Sequence, residues 1–181
     1  MPYDLFEHRH RFSSWAAARA TQRGRASATN KNLIDAIQHC GIVSFLRNDD
    51  TMSIDEATFK KHHRTWCRLI IDLLNRKRIA DVTYGRVAKL VAVYLKSMVI
   101  VGPNSNSSLA FVAHPSIDRI LLTNLSNAPE IDNHIRECCS LINWTELDEQ
   151  RYYDLIAQLR DCLRDDEPFW NLERYWTVTN E

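Results

Sequence analysis

Between Val87 and Met98 the apolar side chains fall at 87, 90, 91, 94, 95 and 98. Steps of three and four keep them on one side of a 3.6-residue helix, so the stretch predicts an α-helix with one broad apolar face. Asp81 and Thr83 precede it, and either can cap its N-terminus. Gly and Pro together number nine in 181 residues, low for a turn-rich all-β protein. The fold expected is all-α: a two-lobed helical domain of about seven to nine helices, with lobes 1–80 and 81–181.

The flanking segments read as helices too. Residues 4–23 carry a stripe of Leu5, Phe6, Phe12, Trp15, Ala16 and Arg19, with Gly24 as the stop. The polar face holds His8, Arg9, His10, Arg11, Arg19 and Arg23, with Arg25 just beyond. These side chains either contact phosphates or form a solvated face. Thr29 or Asn30 can cap a helix over 31–40 that points Leu33, Ile34 and Ile37 inward and stops at Gly41. Residues 42–46 are β-prone and read as a buried connector or one strand.

Ser53 to Glu56 form a capping box before a helix over 54–76, with Phe59, His62, His63, Trp66, Leu69, Ile70 and Leu73 facing the core. The adjacent histidines diverge on a helix, so packed imidazoles are expected there rather than a metal site. Another helix follows over 130–142. Thr145 to Asp148 resemble a capping box for a helix reaching about 164. Pro168 opens a last short helix rich in aromatics: Phe169, Trp170, Tyr175 and Trp176.

Two polar residues stand out in this apolar frame. Lys89 lies inside the central helix between Ala88 and Leu90. Asp118 follows Pro115, Ser116 and Ile117, where Pro115 suits the first turn of a helix and the carboxylate its positive end. Gly85 precedes Lys89 by four positions, and Lys89 precedes Asp118 by 29. This order resembles the helix-hairpin-helix DNA glycosylase superfamily, most closely its archaeal 8-oxoguanine glycosylase branch. The likeness covers about 40 residues. The chain departs from the pattern at Val87, where a second hairpin glycine is usual, and at Ser116, an extra residue in the aspartate turn.

The resemblance implies a central helix-hairpin-helix-like element, catalytic Lys89 and Asp118, and base contacts from Asp166 and Trp170. It also implies DNA contacts from Arg76, Lys77, Arg78, Gly85, Arg86 and His114. It calls for DNA as partner, with no metal and no small-molecule cofactor.

Composition constrains the alternatives. Residues 1–100 contain 17 Lys and Arg against 9 Asp and Glu, and residues 101–181 contain 6 against 14. A basic half suits an anionic partner, although the two halves can equally attract each other. The five cysteines form no C-x-x-C pair, so disulfides and structural zinc are not expected. Neither a signal-like N-terminus nor an apolar run of membrane length is present, and a cytoplasmic location is expected. Phosphate-binding glycine loops, H-E-x-x-H and G-x-S-x-G are absent. The expected activity is excision of a modified or damaged base from DNA, with or without lyase action. The alternative is a non-catalytic helical DNA- or protein-binding module, for example of a bacterial defence system.

Overall fold

The central apolar stretch forms a helix buried on nearly every side. In the computed structural model, which describes residues 3–22, 28–48 and 52–177, this helix (α5, Tyr84–Leu95) leaves only Arg86 and Val93 partly exposed. The sequence pattern implied one apolar face; alanines at 88 and 92 extend it around the axis, as a core helix requires. Thr83 is the cap, its hydroxyl accepting from the Arg86 N–H. Asp81 instead adopts a left-handed φ of 60° in the preceding turn. The last turn of this rod, Lys96–Ile100, is π-helical, and the Val101 N–H reaches back to the Lys96 carbonyl at 2.8 Å.

All described elements are helical, with no strand among them. Around α5 are arranged α1 (Leu5–Gln22), α2 (Asn30–His39), α3 (Ile42–Leu46), α4 (Glu56–Arg76), α6 (Ser108–Val112), α7 (Arg119–Asn127), α8 (Asn133–Leu141) and α9 (Glu149–Arg160). Short 3₁₀ turns cover Trp144–Glu146 and Phe169–Tyr175. Helices α1, α4 and α9 all pack on α5. The β-prone run 42–46 is the short helix α3, with Ile42, Val43 and Leu46 buried. Burial decides its conformation, because β-propensity mostly measures fit to a half-buried surface.

Several boundaries differ from the sequence reading. Asp55, not Ser53, caps α4, and Asp148 rather than Thr145 caps α9, each accepting an N–H three residues on. Asp118 is itself the cap of α7, and Pro115 lies in the extended strip before it rather than in a first turn. Leu69 is exposed. The expected stop at Gly24, with Arg23 and Arg25, lies outside the described residues.

Helix α1 is turned relative to its apolar stripe. It buries His10, Ser13, Ser14, Ala17 and Ala18, and presents Leu5, Phe12 and Trp15 to solvent. Small side chains permit a close approach to α5. His10, expected on the polar face, bonds Tyr94 Oη at 2.9 Å and Gln38 Oε1 at 2.6 Å, so it ties α1 to α5 and α2.

Beneath α5 lies an aromatic and imidazole core. His63 is hydrogen-bonded to Tyr153 Oη at 2.9 Å and stacks on Tyr152, and His114 is hydrogen-bonded to Tyr152 Oη at 3.1 Å. The two imidazoles are 4.6 Å apart, centre to centre. Burial holds His63 neutral, with its pKa pushed down to about 3, and lowers that of His114 well below the ordinary range. The unfolded chain therefore binds more protons at mildly acidic pH. Stability should be complete above about pH 6.5 and decline as pH falls toward 3, with His63 alone removing about 2 kcal/mol at pH 5. A pH series of thermal melts measures this. His63→Phe, which keeps a ring in the stack, should flatten the acid limb, and an unchanged limb would assign it to other groups.

Candidate active site

Lysine inside a buried helix needs a partner, because an isolated ammonium in an apolar setting is strongly disfavoured. The partner of Lys89 is Asp118: Nζ donates to Oδ2 at 3.0 Å, and both side chains are about 10% exposed. The ammonium also lies 4.8 Å from the ring centre of Trp144. The carboxylate is fixed on its other sides. Oδ1 accepts the Leu121 N–H at 3.1 Å as the α7 cap, and Oδ2 also accepts Trp176 Nε1–H at 3.0 Å.

A second acid positions this strip. Glu173 Oε1 accepts the Ser116 N–H at 2.8 Å, and its other oxygen takes the Lys96 ammonium. Lys89 and Lys96 are seven residues apart and so lie on one side of the rod, two turns from each other. Both line a cleft of about 820 Å³ walled by α1, the α5 rod, the strip before α7 and the C-terminal 3₁₀ turn. Asp118, Glu173 and Trp176 line it as well. Among the described residues, no group of three or more His, Cys, Asp or Glu is placed to hold a metal ion.

The other expected site residues are placed elsewhere. Gly85 is buried, and its N–H donates to the Leu147 carbonyl at 3.0 Å, so it is not offered to a phosphate. A Cβ there would lie 2.0 Å from the Trp144 carbonyl oxygen, so glycine is required for close contact with the 144–147 turn. His114 is 4% exposed within the aromatic core and cannot reach DNA. Asp166 is exposed and pairs with Arg164 at 3.2 Å, while Trp170 is half-buried; neither lines the cleft.

Arg76, Lys77 and Arg78 are exposed at the end of α4, with Lys77 paired to Asp35 at 3.0 Å. Arg86 places its guanidinium 5.7 Å from the Trp144 ring. Trp144, Glu173 and Lys96 were not foreseen as neighbours of the pair, and within the aromatic run the base contact was expected from Trp170 rather than Trp176. No local spacing links 144 or 173 to Lys89; an unusually dense aromatic segment at 169–176 was the one available signal.

No family model, curated protein or solved structure matches the chain. None of the described helices is long and apolar enough to cross a membrane.

Chemically, the site offers an amine, a carboxylate within proton-transfer distance, and two indole rings beside an open cleft. In the ion-paired form Lys89 is an ammonium. Nucleophilic use requires its proton to leave, and Asp118 Oδ2 is the acceptor in reach.

Proposed function

We propose that the chain is a DNA N-glycosylase in which Lys89 is the nucleophile and Asp118 its proton acceptor and charge partner. The observation that carries this reading is the buried Lys89–Asp118 pair facing a single cleft. A target nucleotide leaves the base stack at a cost of a few kcal/mol and enters the cleft. The Lys89 amine, its proton passed to Asp118, bonds to C1′ of the sugar as the C1′–base bond breaks, and the electron pair leaves with the base. Opening of the sugar ring then gives a protonated Schiff base between Lys89 and C1′. Protonated Asp118 gives its proton to O4′ as the C1′–O4′ bond breaks.

Borohydride trapping on a panel of oligonucleotides carrying different damaged bases tests this, because hydride reduces the Schiff base to a stable crosslink. The crosslink should map to Lys89. Asp118→Asn keeps the side-chain shape and removes the charge, so it should slow excision about 100-fold or more while DNA binding persists. Full activity in that variant would remove Asp118 from the mechanism. The second reading, a binding module without chemistry, is favoured by one observation: the Gly85 N–H serves the fold rather than a phosphate. Failure to trap on any substrate would favour that reading.

A further inference from the structure

We infer that α1 provides a stacking platform for an unpaired nucleobase at the mouth of the Lys89–Asp118 cleft, with Arg19 as its phosphate contact. Phe12 is 61% exposed and Trp15 50%, their rings 6.1 Å apart, although α1 has a buried face that could have taken them. That face is filled by serine and alanine instead. Phe12 lines the cleft, as do Arg19 and Gln22 from the same helix. Phe12 and Arg19 are seven residues apart, which places them on one side of α1 about 10 Å from each other along its axis.

Charge selects the occupant. Of the three cations lining the cleft, Lys89 is matched by Asp118 and Lys96 by Glu173. Arg19 is exposed and has no carboxylate partner among the described residues. The cleft thus has an excess positive charge beside an exposed aromatic ring. A π-face with a guanidinium nearby suits a base and its phosphate. The base must be unpaired, since paired and stacked bases do not offer their faces. A purely apolar partner would leave Arg19 unanswered.

This inference rests on reading the cleft as a nucleic-acid site, but its test is binding rather than excision. The full chain is titrated against a fluorescein-labelled oligothymidylate, and against the same thymidine strand annealed to oligoadenylate, with anisotropy as the readout. The single strand should bind more tightly than the duplex. Phe12→Ala should weaken single-strand binding about 5- to 150-fold, the range for loss of one stacked base, and Phe12→Trp should restore it. Arg19→Gln should weaken binding and reduce its salt dependence by about one phosphate contact. Phe12 is exposed, so melting temperature should not change.

Absence of oligothymidylate binding at low salt, or unchanged affinity in Phe12→Ala, would overturn the platform. So would concentration-dependent self-association abolished by Phe12→Ala without any effect on the oligonucleotide, which would make this face a contact between copies of the chain. Loss of the platform with trapping at Lys89 intact would leave the glycosylase reading in place. Oligothymidylate affinity that depends on Phe12, with no trapping on any lesion, would remove the chemistry and keep the platform.

Discussion

Replacing Lys89 with glutamine should abolish base excision, by at least about a thousand-fold, while the protein stays folded. The size follows from the role: loss of a nucleophile removes the covalent route and leaves only binding and electrostatic stabilisation. The fold should survive because the glutamine amide can still donate toward Asp118, which keeps the Leu121 N–H and the Trp176 indole as donors. A buried carboxylate with no remaining partner would be far more costly. Lys96→Gln is the informative contrast. Lys96 lines the same cleft but is engaged by Glu173, so its loss should leave excision within about tenfold. A crosslink at Lys96, or undiminished excision by Lys89→Gln, would show that the wrong lysine has been assigned.

Gly85→Ala should be among the most destabilising single substitutions in the chain, at about 3 kcal/mol or more. The added methyl would meet the Trp144 carbonyl oxygen at 2.0 Å and Leu147 Cβ at 3.1 Å. The nearer obstacle is backbone, which cannot rotate away as a side-chain end can. Relief requires the 144–147 turn to move, and that movement breaks the bond from the Gly85 N–H to the Leu147 carbonyl and withdraws the Trp144 ring from the Lys89 ammonium. Melting should fall by about 6–12 °C for a chain of this length. Gly41→Ala separates the causes: its φ is +91° and the space around it is open, so only backbone strain of about 1–2 kcal/mol is expected. Equal losses in the two variants would refute the steric account of Gly85.

The all-helical fold was legible because apolar spacing and caps are local signals. The helix starting near Tyr84 and the packed histidine at 63 follow from such signals. The side of α1 that faces the core was not legible. Periodicity places Phe12 and Trp15 on a stripe, but it cannot tell whether a partner helix prefers large rings or a row of serines and alanines. Close packing on α5 selects the small residues. Lys89 and Asp118 were found through their order in the chain, and only tertiary structure brings them to 3.0 Å. Trp144 and Glu173 remained hidden for the same reason: they reach the pair across long sequence separations, where spacing has no information. Gly85 was noticed for its place four positions before Lys89, yet its requirement comes from a neighbour about 60 positions away.

The π-helical turn at Lys96–Ile100 has its own consequence for the cleft. On an α-helix Val101 would lie about 140° around the axis from Lys96 and face away from the opening. The wider turn brings both residues to the cleft wall. The rod's geometry therefore depends on residue count as well as residue type. Relaxing 96–100 into ordinary α-helix at its present length would carry everything after it around the axis by roughly a quarter-turn, whereas deleting one residue would make the bond from Val101 to Lys96 an ordinary four-residue one and leave Val101 about 40° from Lys96, still at the cleft wall. The path from Val101 to Asp118 would therefore leave the rod on another side in the relaxed full-length helix, and on the same side in the shortened one, which would keep the support of the Lys89–Asp118 pair.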